Sequence, residues 1–324
     1  LRDITNLLSW SHSVVDSKHL RRRQLQNALK RKILRREEPV VLTADHVIDI
    51  DRYCDDRSSL EVAKQLEVSE RRYQVQCDWE TVLAKNGIKA GMFEKLCDWM
   101  LEVCSMWNLE RQTFLLSINL ATRYLISCSV PVDPSTLQLL GVTCLLISYK
   151  FNESKEVMYL TILSNLTGKS FTPDEIRIME SAILNVLQFR LAAPTPLHFT
   201  DRLFIASSMH DDITQAIDDQ VKITTYFLLE VAAVKSTTFQ ELPSLLAAAS
   251  IVISRSCLGL EPWCQTFAHN VPYSKQEVVQ CAGLLVLAAE GCSGHMLASN
   301  LAAHQTFIRA NREGILGWLW KQSD

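Results

Sequence analysis

From about residue 58 onward, apolar side chains recur every three or four positions, the period of a helix packed along one side. Met92, Leu96, Trp99, Met100, Val103 and Trp107 form one such stripe and predict a single buried helical face. Further stretches predict helices over 110–127, 134–150, 155–166 and 173–188, with breaks at Pro131, Pro134, Gly168 and Pro173. After "AAPTP" (192–196) a second series begins: 196–207, 214–232, 242–258, 262–270 and 274–290. A last amphipathic stretch, 298–320, ends in "GWLW". The alternation that marks strands is almost absent, so the expected class is all-α.

One stretch breaks the striped pattern. "LLGVTCLLISYKFNE" (139–153) is small or apolar from Leu139 to Ile147 and then turns abruptly polar at Tyr149, Lys150 and the acidic end. The apolar run predicts a helix buried all round. Lys150 reads either as a solvated stop to that helix or as a group placed for a task.

The two helical series are related. "LLGVTCLLIS" (139–148) aligns with "LLAAASIVIS" (245–254), and "FTPDEI" (171–176) aligns with "YSKQEV" (273–278). In the second pair Thr172 and Ser274 are natural N-caps, and Glu175 and Glu277 stand three residues later, so both copies carry a capping box. Two tandem bundles are the simplest account. Side chains that the fold demands should appear in both copies. Lys150 does not, because its counterpart is Ser256, and neither does Glu180, because its counterpart is Ala282. A carboxylate among apolar neighbours is costly unless paired. From spacing alone, Lys150 and Glu180 are a plain salt bridge, two separate surface charges, or a functional pair.

Composition adds limits. The chain has 324 residues, enough for about two domains. It is 48% hydrophobic and 21% charged, the balance of a globular protein with a sizeable core. A net charge of −3 disfavours nucleic acid as the main partner. No apolar run reaches the length of a membrane span, and the polar, soon basic start is unlike a secretory signal. None of the ten cysteines falls in C-x-x-C spacing, and Cys97, Cys104, Cys144 and Cys281 lie in apolar helical patterns. They read as small buried hydrophobes of a reducing compartment. Lys18 to Arg36 holds nine basic residues and no acidic one, either an import or docking segment or a solvated basic arm.

Catalytic chemistry is hard to assemble. The histidines, among them His198, His210 and His269, show no metal-binding spacing. "EGCSGH" (290–295) lacks the lysine of a phosphate loop, and no G-x-S-x-G elbow occurs. No metal, cofactor or enzymatic activity is expected. Trp318 and Trp320 read as packing for a terminal helix or as a partner contact.

The stretches from Met92 to Leu125, "LQLLGVTCLLISYKFNE" (137–153) and "FTPDEIRIMESAILNVLQFRLAAPTPLHF" (171–199) resemble the first cyclin box of a mitotic cyclin. "YFLLEVAAV" (226–234), "LPSLLAAASIVISR" (242–255) and "PYSKQEV" (272–278) resemble the second, and "VIDIDRYCDD" (47–56) is similar to the lead-in of B-type cyclins. The resemblance implies two tandem five-helix cyclin boxes with flanking N- and C-terminal helices. The corresponding division is an arm over 1–47, an N-terminal helix and first box over 48–192, and a second box with C-terminal helix over 193–324.

It further implies a non-catalytic subunit that forms a heterodimer with a cyclin-dependent kinase and activates it in mitotic control, in nucleus and cytoplasm. In the family, the lysine of the S-K-F-E-E motif and a glutamate of the fifth helix hold main-chain groups around the kinase's regulatory helix. Lys150 and Glu180 stand at those motif positions, with Phe151, Leu184 and Phe189 as apolar contacts beside them. Asn152 departs from the family's glutamate, whereas Glu153 keeps the second acid.

The docking patch M-R-A-I-L-x-x-W reads M-F-E-K-L-C-D-W here, so Met92, Leu96 and Trp99 match, with Glu102 and Gln138 nearby. This implies a surface for R-x-L segments of substrates or inhibitors, although Phe93 and Lys95 depart from the pattern. The helix-face pattern alone explains Met92, Leu96 and Trp99 as core. "LRDITN" (1–6) resembles the later part of a destruction box, with Leu1 and Asn6 at its leucine and asparagine positions. That implies recognition by a ubiquitin ligase, with the arginine expected three residues upstream of Leu1. A cyclin-fold scaffold or transcription factor that activates no kinase is the alternative expectation.

Overall fold

The computed structural model describes residues 57–74, 77–153, 158–208 and 214–291. The destruction-box-like start with Leu1 and Asn6, the basic run, the "VIDIDRYCDD" lead-in and the 298–320 stretch with Trp318 and Trp320 lie outside the described residues.

Twelve α-helices and no strand occur among the described residues. Helix α1 (Arg57–Tyr73) and the short α2 (Trp79–Lys85) precede a five-helix set: α3 (Ala90–Met106), α4 (Arg111–Ser127), α5 (Leu137–Asn152), α6 (Leu160–Leu166) and α7 (Pro173–Val186). A second five-helix set follows: α8 (Leu197–Ser208), α9 (Gln215–Val234), α10 (Pro243–Cys257), α11 (Gln265–Asn270) and α12 (Lys275–Glu290). The helix expected from residue 155 begins only at Leu160. Both capping boxes form as the spacing requires: Thr172 and Ser274 each accept from the N–H three residues on, and Glu175 and Glu277 reach back to the cap N–H.

In each set one helix is the axle. Every residue of α5 from Leu139 to Tyr149 is buried, and α10 is buried on nearly all sides from Leu246 to Arg255. Helix α3 approaches α5 closely at Gly141, where an added Cβ would stand 2.7 Å from Leu96 Cδ1. Any larger residue would force the Leu96 and Met100 side chains to shift.

The expected stripe on α3 needs correction. The buried side is Phe93, Leu96, Cys97, Met100, Val103 and Cys104. Met92 and Trp107 are both 37% exposed, Met92 in the first turn of the helix and Trp107 at its C-cap. Phe93, fully buried, makes edge-on contacts with Trp79 (5.1 Å) and Phe239 (5.8 Å), and so joins the first bundle to the second. Polar clamps flank this seam. Glu94 accepts from Lys235 Nζ (3.1 Å) and from the backbone N–H and hydroxyl of Ser236. Arg111 Nε donates to Glu230 at 2.8 Å and lies over the Tyr226 ring. The eight described cysteines are free thiols, and burial pushes those of Cys97, Cys104, Cys144 and Cys281 well up.

Helix α1 is tied to the second bundle by Glu70. Its carboxylate accepts from the Ser244 backbone N–H (2.9 Å) and hydroxyl (2.7 Å), supplying a cap to the start of α10 that Leu242 cannot supply. Burial raises the Glu70 pKa, although the Ser244 hydrogen bonds oppose this.

Two predictions follow from these contacts. Phe93→Ala should lower unfolding stability by about 3–5 kcal/mol, the usual cost of emptying a buried phenylalanine site, measurable as a shift in urea midpoint. The second concerns pH. Because the folded-state pKa of Glu70 is raised, the folded chain holds that proton longer than the unfolded chain. Its contribution to stability therefore falls as pH rises from the ordinary 4.5 through the raised folded value. Wild type minus Glu70→Gln stability, followed by denaturation across that window, should decline with pH. A flat or rising difference would refute this.

Candidate functional site

The all-round burial of α5 ends in its last turn, and Lys150 is the first side chain to reach solvent. A cation there also suits the carbonyl end of the helix dipole. The end of the helix is fixed from outside. Glu153 is its C-cap, and its carboxylate accepts from the Glu110 backbone N–H (2.7 Å) and the Thr113 hydroxyl (3.0 Å). Glu110 is the N-cap of α4 and makes no side-chain cap of its own. Glu153 therefore supplies that cap, and it joins the end of α5 to the start of α4.

Glu180 stands midway along α7, facing the end of α5. Lys150 Nζ donates to both of its carboxylate oxygens, at 2.6 and 2.9 Å. The sequence-predicted lysine and glutamate are thus brought together. The pair is asymmetric: the lysine side chain is 51% exposed, the glutamate 15%. The sheltered acid anchors an open base. The second bundle treats the same two positions differently. Ala282 is fully buried, and the basic residue stands one position before Ser256: Arg255 turns inward and donates through Nε to the Glu261 carbonyl at 2.9 Å.

Leu184, one turn beyond Glu180 and on the same face of α7, is half-buried and packs on the core. Phe151 and Phe189 are 50% and 66% exposed. Phe189 is held out by an uncommon turn. Gln188 (φ 52°) and Phe189 (φ 56°) are consecutive non-glycine residues in the left-handed region, and each such residue costs on the order of 1–3 kcal/mol. The Phe189 N–H returns to the Leu184 carbonyl at 2.9 Å, which holds the turn closed. No sequence signal marks this turn, since neither residue is glycine or asparagine. Asn152, at the departure from the family motif, keeps its side-chain N–H₂ buried with no hydrogen-bond partner among the described residues.

The residues of the expected docking patch separate. Leu96 is core, packed on Gly141. Phe93, at the family's arginine position, is core as well. Met92 is exposed, and Trp99, Glu102 and Gln138 are partly exposed. The described residues contain no group of His, Cys, Asp and Glu side chains suited to a metal ion, and no helix long and apolar enough to cross a membrane.

Comparison with known proteins matches this architecture. The family model "Cyclin, N-terminal domain" matches residues 61–192, and "Cyclin, C-terminal domain" matches 194–307. The chain is 29% identical over 264 residues to Cyclin-A1-4 of Oryza sativa subsp. japonica, covering 78% of this chain and 72% of that protein. It is 34% identical over 194 residues to the G2/mitotic-specific cyclin S13-6 of Glycine max, covering 59% of this chain and 40% of that protein. With Cyclin-B2-1 of Oryza sativa subsp. japonica, identity is 31% over 192 residues, covering 59% and 43%. The match thus spans less than half the length of the latter two relatives. Among solved structures, a viral cyclin from herpesvirus saimiri superposes with a TM-score of 0.61 at 21% identity, over 71% of this chain and 97% of that one.

The pair's energetics give a prediction. An ion pair with one partner this open is worth only about 0–1 kcal/mol, because water screens it. Lys150→Ala with Glu180→Ala should therefore shift the urea midpoint of the free chain by no more than that. A loss of several kcal/mol would make the pair a structural clamp.

Proposed function

Because this chain belongs to the cyclin family, we propose that it is a mitotic-type regulatory subunit that binds and activates a cyclin-dependent protein kinase, without catalysis of its own. One observation carries this reading. The first bundle presents a Lys150–Glu180 pair at its surface, beside exposed aromatics, and the second bundle has a serine and a buried alanine at the same positions, Ser256 and Ala282. Fold demands are shared between the two copies, so the difference is the mark of a task.

The chemistry is main-chain recognition. Lys150 donates to carbonyls and Glu180 accepts from N–H groups around the kinase's regulatory helix. Phe151, Phe189 and Leu184 supply apolar contact, with the aromatics as anchors of the kind that dominate interface energies. Held inward, the regulatory helix completes the kinase's own Lys–Glu ion pair and aligns its metal-binding loop. Activation is then a shift of population toward that arrangement. Moving an equilibrium from 1:99 to 99:1 requires about 5.5 kcal/mol of differential binding. Two charge-assisted hydrogen bonds at roughly 1.5–3 kcal/mol each, together with apolar burial, are sufficient.

The remaining functions are extensions of the same proposal. Met92, Trp99, Glu102 and Gln138 are the open part of a substrate- or inhibitor-docking surface, with Leu96 supporting it from the core. The basic segment directs the chain to the nucleus as well as the cytoplasm, and Leu1 and Asn6 belong to a degradation signal read by a ubiquitin ligase.

The test is capture of a kinase from native lysate on the wild-type chain, followed by a histone-type phosphorylation assay on the bound material. Lys150→Ala with Glu180→Ala should weaken kinase affinity at least about 30-fold, the lower end of the cost of truncating buried charged contacts. Ser256→Ala should leave binding and activation unchanged. Equal activation by the double variant would overturn the role given to the pair, and failure of the wild type to capture any kinase would favour a scaffold.

A further inference from the structure

Away from the Lys150–Glu180 pair, the end of α1, the end of α4 and the linker after α7 enclose a cleft of about 460 Å³. Three arginines line it, Arg72, Arg123 and Arg190, together with Tyr73, Gln74 and Gln188. None of its described lining residues is acidic, and none of the three arginines forms an ion pair among the described residues.

The arginines are differently held. Arg123 is fixed: Nη2 donates to the Arg190 carbonyl at 2.8 Å, Nη1 to Asn119 at 3.3 Å, and the guanidinium lies 4.6 Å from the Tyr73 ring centre. Those contacts leave N–H donors on the fork unused. Arg72 and Arg190 are exposed at the rim. Burial, and the nearby positive charge of Arg190, push the Arg123 pKa down. Three like charges around one cleft repel one another, and a bound anion reverses that cost.

We propose that this cleft binds the phosphoryl group of a phosphorylated protein partner, a phosphoserine or phosphothreonine on a segment laid across the end of α1 and the 188–190 linker. A phosphate dianion answers several guanidinium groups at once, and planar forks match its oxygens bidentately. Arginine clusters of this kind read phosphorylated motifs in other recognition modules. A peptide is favoured over a free anion by the neighbouring surface. The same strained linker that contributes Gln188 and Arg190 to the cleft presents Phe189 to solvent between them, an apolar surface that a ligand with a chain on either side of its phosphate can cover and a free anion cannot. The three arginines come from segments far apart in sequence, so no linear motif reveals them. This site does not depend on the kinase reading, because its ligand can be tested without a kinase.

The experiment titrates the full chain with a short, sequence-degenerate peptide library carrying phosphoserine or phosphothreonine at its centre. The unphosphorylated library and inorganic phosphate serve as separate arms, all followed by calorimetry. The phosphorylated library should bind, and Arg72→Gln with Arg190→Gln should weaken it about tenfold or more through lost charge-assisted hydrogen bonds. Both substituted side chains are at the rim, so the variant keeps its fold, checked by circular dichroism. Arg123→Met should abolish binding. Equal binding of the unphosphorylated library, or no effect of the rim variant, would overturn the site. Inorganic phosphate binding as tightly as the library would overturn its assignment to a peptide.

Discussion

The structure depends on burying a helix from all sides. An apolar stripe needs one neighbour, but α5 has no polar side from Leu139 to Tyr149, and such a helix is stable only inside a ring of others. The remaining helices of the first bundle provide that ring. The tightness of the fit shows at Gly141, where the absence of a side chain lets Leu96 and Met100 of α3 close in. This constraint also places the site. A buried axle must leave the core somewhere, and where α5 leaves it, the first group in water is Lys150. Glu153 then fixes the exit by capping α4, and Glu180 of α7 holds the lysine itself.

The second bundle solves the same problem and shows what the fold alone requires. Helix α10 is an axle of the same kind, and α12 begins with the same capping box as α7. Its basic residue is turned inward to hold a loop carbonyl, and Ala282 is buried where Glu180 meets solvent at its edge. Neither an outward lysine nor a glutamate on the fifth helix is thus needed to close five helices. The two bundles are in turn locked by the Trp79–Phe93–Phe239 cluster and its flanking ion pairs, which carry the α3 stripe across the seam.

Much of this was legible in the sequence because the signals were periodic. Helix order, the repeat, both capping boxes and the buried cysteines rest on spacing, and spacing survives folding. The errors lie where periodicity loses meaning. Met92 and Trp107 continue the α3 stripe in sequence but stand at the two ends of the helix, where they are partly open to solvent. Phe93 looked like a departure in a surface patch, whereas it is the core link between bundles, which depends on Phe239 more than a hundred residues away. Lys150 and Glu180 could be singled out by their absence from the second copy, but their mutual contact required the packing of α7 on α5. The left-handed turn at Gln188 and Phe189 had no signal, since tertiary context imposes a conformation that neither residue prefers.

The state of the pair in the free chain bears on how it can act. A buried charge whose partner is removed is penalised heavily, and an interface built on unpaired charges would carry that penalty before binding. Here the two groups satisfy each other at 2.6 and 2.9 Å. That contact does not exhaust them: the ammonium has a further N–H and the carboxylate further lone pairs. A partner's main chain can therefore add to the pair without breaking it, and neither charge is left alone at any stage. The side chains are already fixed by one another, so less conformational entropy remains to be lost on binding. The weakness of the ion pair as a source of stability and its fitness as a recognition element have one cause: the lysine is open to whatever approaches, and the glutamate beneath it keeps it in place.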